Sequence, residues 1–130
     1  IYSILVEGDD LNDPIADTVR SILDGHIVLS RDLASSYHYP PIDILHSLSR
    51  VMQEVITPDH HEKAGRLRSL LRTYKEAEDL INIGAYVSGS NPAVDEAIMR
   101  HDKIKRFLQQ DILESFEYET TLKLLTEALS

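Results

Sequence analysis

The chain has 130 residues, 42% of them hydrophobic, enough for one compact domain with its own core or for two small ones. Its 22 acidic residues against 13 Lys and Arg give a net charge of -9, which argues against nonspecific binding to nucleic acid or anionic lipid because phosphates meet repulsion over most of the surface. It contains no cysteine, which removes disulfides, thiolate metal sites and a cysteine nucleophile, and suits a reducing cytosol.

The chain opens on Ile1-Tyr2-Ser3-Ile4-Leu5-Val6, with no initiator Met and no charged n-region before an apolar core. It therefore reads as the inside of a longer protein rather than a signal peptide. No run reaches the apolar length of a membrane span. Residues 1 to 7 are rich in apolar and β-branched types and predict a buried strand. Asp13-Pro14 predicts a helix start, with a carboxylate for the first-turn amides and a proline preset for the first position. Ile15, Val19, Ile22 and Leu23 recur on one face of that helix, and Asp24-Gly25 ends it. His26 to Ser30 predicts a second strand, so the first 30 residues form a strand, helix, strand unit of a parallel sheet.

Residues 31 to 56 are mixed, with a short helix expected through Arg31 to Ser35 and an irregular stretch broken by Pro40-Pro41. From Thr57 the texture is helical. Thr57-Pro58 is a cap and first-turn pair, and Leu67, Leu70, Leu71, Tyr74, Ala77 and Ile81 form an apolar stripe up to Gly84. Asn91-Pro92 repeats the start signal. Val94, Ala97, Ile98, Ile104, Phe107 and Leu108 supply the facing stripe of an antiparallel helical hairpin. A third helix is expected from about Ser115, carried by Tyr118, Leu122, Leu125 and Leu129.

Several chemistries lack their residues. The acidic group Glu7, Asp9, Asp10 and Asp13 misses the EF-hand pattern and reads as a solvated loop at the positive end of a helix. The adjacent pair His60-His61 lacks the four-residue spacing of a helical zinc pair. No serine stands in a G-x-S-x-G context. A phosphate-binding loop needs G-x-x-x-x-G-K-[ST] between a strand and a helix. The nearest approach, Gly84 to Asn91, has Ser90 where the lysine belongs and follows a helix, so it reads as an interhelical loop.

Four segments, in order, carry a resemblance. They are Val6-Glu7-Gly8-Asp9-Asp10-Leu11-Asn12-Asp13-Pro14-Ile15-Ala16-Asp17, Asp24-Gly25-His26-Ile27-Val28-Leu29-Ser30-Arg31, Tyr39-Pro40-Pro41-Ile42-Asp43-Ile44-Leu45 and Ser47-Leu48-Ser49-Arg50. Together they resemble the later part of the nucleotide-binding domain of the rotary ATP synthase superfamily, most closely the ATPases of bacterial flagellar and type III protein export. Tyr74-Lys75-Glu76-Ala77-Glu78-Asp79-Leu80-Ile81-Asn82-Ile83-Gly84-Ala85-Tyr86 and Gly89-Ser90-Asn91-Pro92 are also similar to the export ATPases, and the wording of this hairpin favours the flagellar branch. The fold implied is α/β followed by all-α. Residues 1–56 would be the C-terminal part of a RecA-like parallel-sheet nucleotide-binding domain, and residues 57–130 a C-terminal helical domain.

The resemblance implies a homohexamer in which Arg50, the arginine of Ser-x-Ser-Arg, reaches a neighbour's nucleotide as an arginine finger. A planar, permanently charged guanidinium suits phosphoryl oxygens. Read without the family, Arg50 is a surface arginine or an ion-pair partner. Tyr39, before Pro-x-x-Asp, corresponds to the tyrosine that packs on adenine, with Tyr37 a competitor that only the family register sets aside; ordinary core packing is the alternative for either. ATP is the implied nucleotide, with Mg²⁺ held by parts of the parent outside this chain, and no metal ligand or general base is assigned here. The parent would be an ATP hydrolase that drives protein secretion, in the cytoplasm at the base of the export apparatus on the inner membrane, touching membrane only through that apparatus. This segment alone, without the phosphate loop, is expected to be inactive.

Expected partners are identical neighbouring subunits, a coiled-coil stalk protein, and export chaperones or substrates, with no nucleic acid. Arg66, Arg68, Arg72 and Lys75, and then Lys103, Lys105 and Arg106, give the two long helices basic segments. These read as a docking surface or as a solvated face with internal ion pairs such as Glu62 with Arg66. The alternative function is a helical docking module for a stalk or chaperone, without a catalytic role of its own.

Overall fold

The computed structural model describes residues 2–130, apart from the side chain of Asp9. The chain forms two compact units, one running to Val55 and the other starting at Ile56.

In the first unit, Asp13 caps helix α1 (Pro14–Ile22), its Oδ1 accepting from the amides of Ile15 at 3.0 Å and Ala16 at 3.2 Å. Strand β1 (Gly25–Leu29) follows, then the short helix α2 (Arg31–Ser35), whose N-cap Ser30 accepts from the Leu33 amide. Strand β2 (Ile42–Ser49) pairs antiparallel with β1, and α3 (Met52–Val55) closes the unit.

The α/β class stands, but two local expectations are corrected. No strand forms over residues 2–6, and Ile1 lies outside the described residues. A strand needs a ladder partner, and none runs beside these residues, whose Leu5 is fully exposed. The other correction is that the stretch expected to be irregular contains β2. Pro40 and Pro41 stand just ahead of the strand, where their missing N–H groups remove no ladder bond. The sheet among the described residues is thus one antiparallel pair, without the parallel neighbours of β1.

The second unit is three helices: α4 (Pro58–Asn82), α5 (Pro92–Leu108) and α6 (Tyr118–Ala128). Thr57 caps α4 through the His60 amide, and Asn91 caps α5 through the amides of Ala93 and Val94. Leu67, Leu70 and Ala77 of α4, Val94, Ala97 and Ile104 of α5, and Leu125 and Ala128 of α6 are buried, with Leu129 just beyond. Of the stripes expected from spacing, these residues form the core, Leu71, Tyr74, Ile81, Phe107, Leu108 and Leu122 are half-buried, and Ile98 and Tyr118 are exposed. Helix α6 begins at Tyr118 rather than near Ser115, because the preceding turn has its own bonds: Glu114 accepts from the Asp111 amide at 2.8 Å, and Gln110 donates to the Glu114 carbonyl at 2.7 Å. Among the described residues no helix is long and apolar enough to cross a membrane.

Candidate functional site

The two residues singled out by sequence flank strand β2, Tyr39 shortly before it and Arg50 directly after it. Its pairing with β1 runs from Leu29 opposite Ile42 to Gly25 opposite Ser49, with an irregularity between. At Gly25 a Cβ would lie 2.8 Å from the Leu48 carbonyl oxygen, too close for any side chain. One residue further on, the Arg50 amide donates to the Asp24 carbonyl at 2.7 Å. The backbone of Arg50 is therefore tied to the start of β1.

Arg50 itself is exposed, and among the described residues its side chain makes no hydrogen bond or ion pair. The reading of Arg50 as an internal ion-pair partner loses its support. A free guanidinium at the end of a fixed strand can meet an anion from outside the chain, with up to five donors in a planar fork.

Tyr39 lies just before β2 and is 50% exposed, its ring meeting that of Tyr37 edge to face at 6.5 Å and 74°. Tyr37 is 85% exposed and adopts a left-handed backbone (φ 58°). Core packing explains neither ring. Both leave an aromatic face open to a planar ligand, and Tyr39 is the less exposed of the two. The structure does not bring Tyr39 and Arg50 together, since they flank the strand pair at opposite ends. Strand β1, five residues long, alone spans about 13 Å at roughly 3.3 Å per residue. They thus suit two different parts of a nucleotide, or two nucleotides, and not one shared contact.

Sequence reasoning passed over Asp43 and His46. Asp43 Oδ1 accepts from the amides of Leu45 and His46 at 2.9 and 3.0 Å, and its Oδ2 accepts from His46 Nδ1 at 2.7 Å. The available signal was the aspartate three residues after Tyr39-Pro40, which spacing alone could not assign to the backbone. Near the start of the chain, Asp10 turns back on the Asn12 amide and Asp13 on helix α1. Among the described residues no His, Asp and Glu cluster is arranged to hold a metal ion.

In the helical unit the basic segments are largely paired. Arg66 donates to Glu96 on α5 at 2.6 Å in place of the expected Glu62, and Arg100 shares the same carboxylate at 3.0 Å. These two hydrogen bonds hold the Glu96 carboxyl below the usual range. Arg72 pairs with Glu76, and Lys75 with Glu78. The loop between α4 and α5 is organised by Asp95, which accepts from Tyr86 Oη at 2.9 Å and from the Gly89 amide at 3.0 Å, Gly89 having φ of 86°. An open groove beside it is lined by Thr73, Leu80, Tyr86 and Val87, and Ile83 and Val87 are exposed.

Between the same helices His101 stacks on Tyr74, centroids 3.6 Å apart and planes 10° from parallel, with its Nδ1 buried and unpartnered. Burial is the main cause that lowers its pKa; Lys105 acts in the same direction, and the carboxylates of Asp102 and Glu78 oppose it. A histidine whose folded pKa is depressed is protonated more readily when unfolded, so its contribution to stability is complete above the unfolded pKa and lost as pH falls below it. Thermal melts of the chain between about pH 7.5 and 5.5, bracketing the ordinary histidine value, are expected to show a falling midpoint. In His101→Phe, which keeps a ring for the stack, that fall is smaller. An equal fall in both would remove His101 as a cause.

Comparison with known proteins places both units. Residues 56–127 match the family described as "T3SS EscN ATPase C-terminal domain", and residues 1–49 match "ATP synthase alpha/beta family, nucleotide-binding domain". The chain is 51% identical to a type 3 secretion system ATPase of Xanthomonas euvesicatoria and 50% identical to a flagellum-specific ATP synthase of Bacillus subtilis. Each alignment covers 96% of this chain and 28% of the relative, so the chain spans less than a third of their length. The assembled ATPase EscN of the enteropathogenic E. coli type III secretion system is similar over the whole chain and 32% of its own, at 47% identity and a TM-score of 0.94. The same ATPase solved in complex with its central stalk EscO is similar over 90% of this chain and 29% of its own, at 46% identity and a TM-score of 0.84.

Proposed function

This chain belongs to the type III secretion and flagellum-specific ATPases of the ATP synthase alpha/beta family, and from that membership we infer that it is the C-terminal part of a protein export ATPase. Residues 1–56 end the nucleotide-binding domain and residues 57–130 form the helical domain. The parent hydrolyses ATP to drive secretion in the cytoplasm, at the base of the export apparatus. In its hexameric ring, Arg50 reaches the phosphates bound by the neighbouring subunit, and Tyr39 supplies an aromatic wall for adenine. Heterologous contacts between identical subunits let every protomer offer its arginine to the next. Identity to the two branches differs by one percentage point, 51% against 50%, so the reading covers both.

The observation that carries this reading is the exposed guanidinium of Arg50, unpaired among the described residues, on a backbone bonded to Asp24 just ahead of β1. Partner docking belongs to the helical unit. A relative 46% identical was solved with its central stalk, and the exposed apolar residues Ile83 and Val87 at the α4–α5 loop suit a coiled-coil stalk. Export chaperones or substrates dock on the same unit.

A mixing experiment tests the arginine's direction of action. A parent carrying Arg50→Ala keeps its own phosphate loop, and a parent with a disabled phosphate loop keeps its own Arg50. Each alone is expected to be inactive, and the mixture to regain ATPase activity, because a ring can then place an intact loop beside an intact arginine. No recovery, in mixtures shown to co-assemble, would mean that Arg50 acts within its own subunit or not at all.

A further inference from the structure

We propose that Asp43 is a positioning residue for Arg50, its carboxylate fixing the bulge of β2 that determines where Arg50 leaves the sheet. The inference rests on the reading of Arg50 as the arginine that reaches a neighbour's phosphates.

The register shows what has to be held. Val28 pairs with Asp43 and His26 with Leu48, so residues 44–47 of β2 lie opposite the single Ile27 of β1. An ordinary bulge adds one residue; this one is larger, and its backbone groups need other partners. Asp43 supplies two of them. Its two carboxylate oxygens accept from the amides of Leu45 and His46 and from His46 Nδ1, which must carry the proton because an ionised carboxylate can only accept. The Asp43 carbonyl accepts from Ser47 Oγ at 2.6 Å, and that hydroxyl accepts from the Val28 amide at 2.9 Å, replacing a lost ladder bond. On the outer side, His26 Nε2 donates to the His46 carbonyl at 3.0 Å.

Beyond the bulge the chain has little latitude. Leu48 and Ser49 re-enter the ladder against His26 and Gly25, where no Cβ would fit, and Arg50 is bonded to Asp24. The length of chain taken up by residues 44–47 therefore sets the register in which Arg50 emerges. Without the carboxylate, two amides and an imidazole lose their acceptor, and the surplus residues can redistribute along β2. A guanidinium displaced by about 1 Å from a transferring phosphoryl group costs on the order of 100-fold in rate.

The test uses the full-length parent ATPase and compares Asp43→Ala, Asp43→Asn, Arg50→Ala and the double variant Asp43→Ala/Arg50→Ala. Asp43→Ala is expected to lower kcat about 100-fold while nucleotide Kd stays unchanged. Asparagine keeps one acceptor oxygen for the two amides, so Asp43→Asn recovers most of the loss. The double variant is expected to be no slower than Arg50→Ala, because residues that act through one another are not additive. Wild-type kcat in Asp43→Ala beside an inactive Arg50→Ala would overturn the proposal and leave the role of Arg50 intact, as would additive losses in the double variant. An active Arg50→Ala would overturn the underlying reading instead. If Asp43→Ala fails to assemble, Ser47→Ala loosens the same bulge: kcat falls with Kd unchanged if the proposal holds, and an unchanged kcat overturns it.

Discussion

Replacing Arg50 by alanine in the full-length parent is expected to lower ATP turnover by about 10³-fold or more, the range in which arginine fingers act, with nucleotide affinity nearly unchanged. At roughly 1.4 kcal/mol per decade this is about 4 kcal/mol of transition-state stabilisation. The side chain is exposed and unpaired among the described residues, so its removal leaves no buried group without a partner. Loss of rate cannot then be attributed to unfolding. Affinity is expected to be spared because a finger's contribution grows as charge develops on the transferring group. Arg50→Lys is expected to recover little, since an ammonium cannot reproduce a bidentate fork. Tyr39→Ala provides the contrast: a stacking ring acts in the ground and transition states alike, so its loss raises Kd and leaves kcat close to wild type. The measurement is turnover at saturating ATP together with a direct nucleotide titration for each variant. Wild-type turnover in Arg50→Ala would remove the arginine from the mechanism and leave docking as the function of this part of the chain.

Local signals gave the parts of this fold that sequence could reach. Asp13-Pro14, Thr57-Pro58 and Asn91-Pro92 each start a helix with the capping bonds their chemistry predicts, because a cap involves only residues two or three apart. The apolar stripes of α4, α5 and α6 were legible for the same reason. Strand β2 was not. Its pairing depends on β1, more than a dozen residues away, and the two prolines in front of it read as a breaker rather than a boundary. Arg66 shows the same limit in the helical unit: the four-residue rule offers Glu62, but the hairpin brings Glu96 alongside, from 30 residues away, where Arg100 also reaches it. At the candidate site the family motif marked Arg50 and Tyr39, while the features that qualify Arg50 appear only in the structure. These are its lack of an internal partner, the bond to Asp24, and the bulge built on Asp43.

The largest expected effect on stability comes from Ile104→Ala. Ile104 is 1% exposed and is the largest side chain wholly removed from solvent among the described residues; it lies on α5, in a unit where α4, α5 and α6 all contact one another. Truncating a buried isoleucine to alanine removes transfer energy and leaves a cavity, together costing about 2–5 kcal/mol. Alanine is the better helix former, but that gain is at most a few tenths of a kcal/mol, so the cavity decides the sign. Few alternatives exist for filling it. The nearest buried residue on the same helix at comparable depth, Ala97, is already small, and the buried leucines Leu67, Leu70 and Leu125 belong to other helices whose backbones would have to shift. Urea unfolding followed by helical ellipticity is expected to show a lower midpoint with little change in slope. Met99→Ala, on the same helix and 68% exposed, is the matched control and is expected to stay within about 0.5 kcal/mol of wild type. Equal losses in the two variants would mean that the three-helix core does not hold this unit together. A loss confined to Ile104→Ala would make that core the rigid base from which the α4–α5 loop is presented to a partner.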